Sequence, residues 1–445
     1  MASTYLSRTP ASAGNSTTWT YSCWVKLEVP STGTQQLLDV NDGTYSNGLR
    51  LTATGLRATN YNPSYAWNIR TNRLLRDTNA WYHIVLRVDT TQATSSDRVR
   101  LYINGVQETS FLEETYPSQN ATNYVNTTTP HYIGSHQGTA YYFGGCMSHI
   151  HLCDGQSYDP SAFGETDTAT GIWKPKTTPS VTYGTNGFFL KFENSASFGT
   201  DSSPNANNFT VNGTMTQTID TPSNVFAVCN KLVNTNSALS FSNGNTTITN
   251  SGQWLGTLAT LGMSAGKYYW EFKSTGNFMT GVSQLNSSAT ETNQLNTANL
   301  GYSSRFATGY EMINGGNLSN NNNTSTPYGT SHSSGDIGMV AFDADNGTLW
   351  LGKNGTWHNS ATQIEIENGT TTNSAYTGLT NSNGYIPSFS TENSTLHLNF
   401  GNGYFGTTAV SSAENPDDGI GIFEYEVPAG YKALCTKSIN AQEYS

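Results

Sequence analysis

Chemistry in this chain would have to come from a few small groups of residues. His149, His151 and Cys153 alternate along SHIHLCD, so a strand would put all three on one face, with Ile150 and Leu152 on the other. Imidazole and thiolate suit zinc, but three ligands in one row reach a single ion poorly, and an ordinary polar strand face is the expectation. Glycoside cleavage needs two carboxylates flanking the scissile bond. The alternating Glu365 and Glu367 in QIEIEN read as the solvated face of a half-buried strand, so no catalytic pair is expected. Aromatic residues outside the strand pattern offer binding instead. Tyr61, Tyr65 and Trp67 in NYNPSYAWN, and Tyr141 with Tyr142, are placed in polar loops. Sugar faces pack on aromatic planes, with neighbouring Asn, Asp and Gly as hydrogen-bonding groups. Rings folded back over the core are the competing reading.

Positioning such residues takes a scaffold, and the composition points to β-structure. Charged residues make up 11% of the 445 and hydrophobic ones 35%, so polarity is carried by Asn, Thr, Ser and Gly. Disorder would go with few aromatics, whereas 12% are aromatic here, including 25 Tyr and 9 Trp. Chains rich in Thr, Tyr, Trp and Gly form strands joined by turns. In RVRLYINGVQ, Val99, Leu101 and Ile103 share one face, and Asn104-Gly105 supplies the positive-φ pair of a tight hairpin turn. TLWLGKNGTW repeats the device with Asn354-Gly355, and TLHLNFG turns Leu396, Leu398 and Phe400 inward. No convincing long amphipathic helix is found. The expected fold class is all-β: two antiparallel β-sandwich, or jelly-roll, domains in tandem.

A net charge of −11 with no basic run argues against nucleic acid as a partner. Cys23, Cys146, Cys153, Cys229 and Cys435 form no CxxC pair and read as buried free thiols. MASTYLSRTPASAG lacks the apolar core of a secretory signal, and no stretch suits membrane insertion. Residues 154–186 read as an ordered crossover or linker, and 314–335 as a long exposed Asn-rich loop. No coiled-coil heptads occur.

Longer segments carry resemblances. TTWTYSCWVKLE (17–28), NAWYHIVLRVD (79–89) followed by VRLYINGVQ (99–107), and YIGSHQGTAYYFGGCMSHIHLCDGQSYDPSAFGE (132–165) resemble strands of laminin G or concanavalin A-type jelly rolls. GKYYWEFK (266–273), GDIGMVAFDADNGTLWLGKNGTW (335–357), YIPSFS (385–390), LHLNFG (396–401) and PAGYKAL (428–434) resemble SPRY domains. NGFFLKFENSASFGTDSSPNANNFTVNG (186–213) resembles the opening segment of laminin G-like domains, moved behind the first domain. The expected organisation is a laminin G/concanavalin A-like sandwich over 1–165 and a connecting segment over 166–225. Residues 186–213 of that segment would return to the first domain as a permuted strand, or bridge the two. A SPRY-like sandwich over 226–437 and a tail over 438–445 complete the chain.

What the resemblance implies is binding rather than catalysis. Jelly-roll glycan hydrolases carry Glu-x-Asp-x-x-Glu on one strand, and no such run is present. Asp39, Asn41 and Asp42 in LLDVNDGTYSNG lie where some laminin G-like domains hold calcium through loop oxygens, so the expectation is no cofactor or calcium. Asp-Gly turns use the same residues for conformation alone. Asp343 and Asp345 in FDADNGT fall, by the SPRY likeness, at a strand end and hairpin turn.

The tandem, with its DGQSYDPSAFGE and IWKPK stretches, resembles structural proteins of marine tailed phages. That implies a non-enzymatic virion protein, a head fibre or decoration or a tail fibre, made in the host cytoplasm without a signal peptide. Its partners would be other virion proteins and host cell-surface glycans. A purely architectural protein binding other virion subunits is the alternative, and a polysaccharide depolymerase a further one. Closed symmetry is usual for self-association, and a homotrimer is expected. Residues 1–16, polar and unpatterned, are expected to order only against a partner.

Overall fold

In TWTYSCWVKL, alternation puts Trp19, Tyr21, Cys23, Val25 and Leu27 on one face, and all five are buried in a common core. This strand lies inside the first of two units. The structure, a computed structural model, describes residues 3–30, 33–233, 238–285, 309–320, 323–380 and 382–443. One unit comprises 1–217 with 221–223, the other 218–220 with 224–445.

In chain order the first unit's strands begin β1 (Tyr5–Arg8), β2 (Thr18–Leu27), β3 (Gln35–Asn41), β4 (Ser46–Thr52), β5 (Gly55–Asn62), β6 (Ser64–Thr71), β7 (Trp81–Asp89) and β8 (Val99–Ile103). They continue with β9 (Val106–Gln107), β10 (Phe111–Thr115), β11 (His131–Ile133), β12 (Gly145–Asp154), β13 (Gly164–Thr166), β14 (Trp173–Pro175), β15 (Phe188–Leu190) and β16 (Thr210–Asn212). An eight-stranded sheet runs β10-β6-β5-β4-β3-β11-β1-β16, and a six-stranded sheet β15-β12-β2-β7-β8-β9. Leu6, Leu38, Leu49, Leu56, Ile69 and Ile133 of the first share one core with Trp19, Ile84, Leu86, Leu101 and Ile150 of the second. The hairpin turn between β8 and β9 has Asn104 at φ 50° and Gly105 at φ 81°, as its dipeptide requires.

Both β15 and β16 come from 186–213: β15 pairs with β12, and β16 pairs with β1. Strand β1 therefore lies between β11 and β16. This corrects the expectation for residues 1–16, of which 5–8 are ordered by the chain itself. Only Leu6 of that strand reaches the core, too little alternation to be visible in sequence.

The six-stranded sheet is covered on its other face as well. Phe163 and Tyr183 pack with Val85, Tyr102, Cys153 and Phe189 in a small second core. The β13–β14 pair sets the Trp173 ring about 3.2 Å from where a side chain on Gly105 would begin. Residues 154–186 are thus packed onto the sheet rather than strung away from it. Cys23, Cys153, Cys229 and Cys435 are buried and Cys146 half-buried, all as free thiols.

In the second unit, one sheet runs in spatial order Leu239–Ser242, Thr247–Asn250, Ser394–Asn399, Lys267–Ser274, Ile337–Asp343, Thr348–Lys353 and Thr356–Trp357. Lys432–Ala433 pairs in parallel beside Lys267–Ser274. The other sheet runs Leu255–Leu258, Tyr385–Glu392, Asn277–Gln284, Gly309–Ile313, Asn317–Asn320 and Asn323–Pro327. Leu396, Leu398 and Phe400 are buried in its core.

Two stretches differ from the expectation. Within 314–335, Asn317–Asn320 and Asn323–Pro327 pair antiparallel, so the stretch contains a hairpin where a long loop was expected. Its polar side chains hid the pattern. Gln363–Glu367 is a short helix, not a strand. Thr362 Oγ1 accepts from Glu365 N, and the Glu365 carboxylate accepts from Thr362 N, a capping box that outweighs the alternation. The expected tail is helical over Thr436–Glu443. No helix among the described residues is long and apolar enough to cross a membrane.

Candidate functional site

The outer face of the eight-stranded sheet gathers most of the residues suited to binding. Leu49, Leu51, Leu56, Ala58, Ile69 and Thr71 are buried inward, so Arg50, Arg57 and Arg70 between them point outward. The register sets them in one row: Arg50 opposite Arg57, Arg57 opposite Arg70, and Arg70 opposite Glu113 on β10. The next row holds Thr59, Gly48, Asp39, Tyr132 and Ser7, each opposite the one before. The Gln36 amide fills the space over Gly48, and Thr59 and Asp39 on either side of it are buried, so this row is exposed only toward Tyr132 and Ser7.

Rings flank these rows. Tyr5 lies 6.2 Å from Tyr132 and 6.3 Å from Tyr142, between ring centroids. Tyr61 and Tyr65 meet edge to face at 5.4 Å, and the Arg57 guanidinium stands 4.8 Å over the Tyr65 ring. Tyr141, half exposed at 51%, lies 5.6 Å from His136, whose Nδ1 is 3.1 Å from Asp39 Oδ2. A shallow depression of about 330 Å³ opens among Tyr5, Ser7, Arg8, Tyr132, Gln137 and Thr210.

Tyr61, Tyr65 and Trp67 are in strands β5 and β6, not in a loop, which corrects their placement. Tyr61 pairs with Tyr65 and Asn60 with Trp67, leaving Ala66 as an extra residue. This bulge sends Tyr65 outward and Trp67 inward although they are two apart. Trp67 is fully buried, and its Nε1 donates to Asn123 Oδ1 at 2.8 Å. It belongs to the core rather than to any binding face. Tyr141 and Tyr142 lie outside the strands as expected, with the Tyr142 hydroxyl donating to Gly138 O at 2.7 Å.

The proposed calcium oxygens are already engaged by N–H donors. Asp39 Oδ2 accepts from Gln137 N at 3.1 Å, and Asn41 Oδ1 from Gly43 N at 2.8 Å and Gln137 Nε2 at 2.7 Å. Asp42 Oδ1 accepts from Thr44 N and Tyr45 N, both at 2.9 Å, and these bonds hold its carboxyl below the usual range. These bonds are those of a hydrogen-bonded turn, each engaging one oxygen of its residue. Asp343 closes its strand and accepts from Asn346 N at 3.0 Å, while Asp345 accepts from Gly266 N at 2.8 Å.

The His-x-His-x-Cys row is broken by a bulge between Ser148 and His151 in β12, with His149 at φ 46°. His151 stacks 3.9 Å from Phe189 and meets the Tyr183 hydroxyl at 3.0 Å, while Cys153 is buried in the small second core. Among the described residues no cluster of three or more His, Cys, Asp or Glu could hold a metal.

One constellation escaped the sequence reading. Ser22 Oγ lies 2.8 Å from His83 Nε2, on neighbouring strands, the contact of a nucleophile and its base. Trp173 Nε1 lies 3.0 Å from His83 Nδ1, and an indole nitrogen can only donate. Nδ1 is therefore the acceptor, Nε2 carries the proton, and Ser22 Oγ accepts it. Burial pushes the imidazole down to about 3. The pair is locked in the direction opposite to nucleophile activation. On the outer face, Glu113 is held by Arg57 at 3.2 Å, by Arg70 and by Asn68 Nδ2 at 2.6 Å.

Residues 2–156 match the profile of the concanavalin A-like lectin/glucanase superfamily. Those residues form a laminin G/concanavalin A-like domain. Solved structures with some similarity include the SPRY domain of human HERC1, at 18% identity over 36% of this chain and 92% of that one, TM-score 0.27. The PSpry domain of TRIM65 matches at 13% identity over 39% of this chain and 88% of that one, TM-score 0.28. Domain 4 of AbnA, a GH43 extracellular arabinanase from Geobacillus stearothermophilus in complex with arabinotriose, matches at 19% identity over 33% and 65%, TM-score 0.26. None of the curated proteins matches this chain.

Proposed function

We propose that the chain is a non-enzymatic adhesion protein of a phage particle, and that the outer face of its eight-stranded sheet binds host-surface glycans. The observation that carries the binding is the set of outward rings, Tyr5, Tyr132 and Tyr142 on one side and Tyr61 with Tyr65 on the other, beside polar rows. Sugar rings stack on such planes while Asn, Asp and Arg take their hydroxyls. The virion role rests on the sequence resemblance to phage structural proteins. Many copies per particle, as homotrimers, would turn weak single contacts into firm attachment.

Glycan arrays and host-cell binding with multimerised full-length protein test this reading. Binding that falls about fivefold or more in Tyr65→Ala and Tyr132→Ala supports it, since stacked aromatic contacts are worth about a kcal/mol each. No binding to any host envelope fraction overturns it. A particle reconstruction in which neighbouring subunits cover both units would favour a purely architectural role. Sugar release from purified host polysaccharide would restore the depolymerase.

A further inference from the structure

The row of Arg50, Arg57 and Arg70 is an unusual arrangement, because like charges facing each other on adjacent strands repel. One carboxylate, Glu113, answers both Arg57 and Arg70. Arg50 forms no ion pair among the described residues. Arg50 is half-buried; burial first and the Arg57 charge second lower its pKa, while a hydrogen bond with the Tyr65 hydroxyl and the charge of Asp39, itself in contact with His136, act against them. The row therefore keeps an excess of positive charge on a face that also displays rings.

Charge along the chain sharpens this. Residues 1–217 hold 13 Lys and Arg against 15 Asp and Glu, whereas 218–445 hold 7 against 16. Nine of the ten arginines lie in the first stretch. The guanidinium fork matches carboxylate and sulfate oxygens two at a time. We infer that this face takes a polyanionic glycan, one whose sugars carry carboxylate or sulfate-ester groups, with Arg50 receiving the anion beside the Tyr65 ring. The inference rests on the glycan-binding reading above and narrows it. A nucleic acid repeats an anion too, but three arginines without flanking basic runs in a chain of net charge −11 do not track a phosphate backbone.

The test uses the full chain, immobilised, with paired probes: polygalacturonate against its methyl ester, and dextran sulfate against dextran. Duplex DNA serves as the competing polyanion. Binding to a charged member at least tenfold tighter than to its neutral partner, weakening as salt rises, is expected. Preference within the first pair or the second tells carboxylate from sulfate. Arg50→Gln should lose about tenfold on the charged probe and Arg50→Lys about threefold, with only a small fall in melting temperature, since Arg50 gives up its Tyr65 contact while Glu113 keeps Arg57 and Arg70. Equal binding to charged and neutral partners overturns the inference and leaves glycan binding standing. Competition by DNA as strong as by the glycan, or an Arg50→Gln protein that binds as before, also overturns it. No binding to any sugar polymer overturns both.

Discussion

Trp173 donates from its indole nitrogen to His83 Nδ1 at 3.0 Å, and so ties the covering segment 154–186 to the six-stranded sheet. His83 also stacks on Trp24, with ring centroids 4.6 Å apart. Trp173→Phe keeps a ring over Gly105 but leaves a buried Nδ1 without its donor. A loss of about 1–3 kcal/mol is expected for the first unit, read from urea denaturation followed by intrinsic fluorescence. A loss within error would show that the segment is held by apolar packing alone.

Glu271 plays the corresponding part in the second unit. Its buried carboxylate receives the Tyr269 hydroxyl at 3.0 Å, Asn399 Nδ2 at 3.2 Å, and the backbone N–H groups of Glu424 and Tyr425 at 2.9 Å each. All four are donors, so Glu271→Ala leaves them buried without an acceptor. About 3 kcal/mol of stability should be lost, with faster hydrogen exchange at the Glu424 and Tyr425 amides. Protection unchanged at those two amides would refute the anchoring role.

The two units should respond differently to acid. Burial lowers His83 to about 3 and both His131 and His149 to about 4, so in the first unit these rings stay neutral when folded and protonate when unfolded. The unfolded state then binds more protons between pH 6.5 and these values, and stability falls as pH falls through that window. Each such group contributes at most about 1.4 kcal/mol per pH unit. In the second unit His332 at about 3 and His358 at about 4 act the same way. Glu271, raised to about 7 chiefly by burial, acts in the opposite direction: its contribution is present at low pH and lost as pH rises toward 7. Thermal melts from pH 7 to 4.5 should therefore destabilise the first unit more steeply than the second. Parallel declines would contradict this assignment.

What could be read from sequence follows from how each feature is encoded. The Asn104-Gly105 and Asn354-Gly355 turns were legible because only a few residues adopt positive φ cheaply, and all four do so here. Leu396 and Leu398 were legible because a half-buried strand repeats every second residue. Tyr65 and Trp67 were not separable, since one extra residue, Ala66, reverses the face without any mark of its own in the sequence. The arginine row was invisible for another reason. Arg50, Arg57 and Arg70 meet only through strand register, which depends on how hairpins close rather than on local pattern.

The same register decides what removal of the N-terminus should do. Leu6 in β1 is 2% exposed and pairs with both Ile133 and Val211, so the N-terminal strand joins one from the middle of the first unit's chain to one from its end. Tyr5 on its outer side contributes to the ring group with Tyr132 and Tyr142. Deleting residues 1–16 should therefore leave β16 without its partner and β11 paired only with β3, and make the first unit susceptible to proteolysis, while a fragment of the second unit survives. Leu6→Ala, which keeps the strand, should cost about 2–4 kcal/mol without loss of the ring group. Tyr5→Ala should weaken glycan binding with little change in stability. Light scattering on the same proteins separates folding from assembly: full-length protein is expected as a trimer, and Tyr5→Ala should stay one. A full-length chain that is monomeric at high micromolar concentration would leave trimerisation to the particle. A deletion variant that keeps its melting temperature would refute the role given to β1.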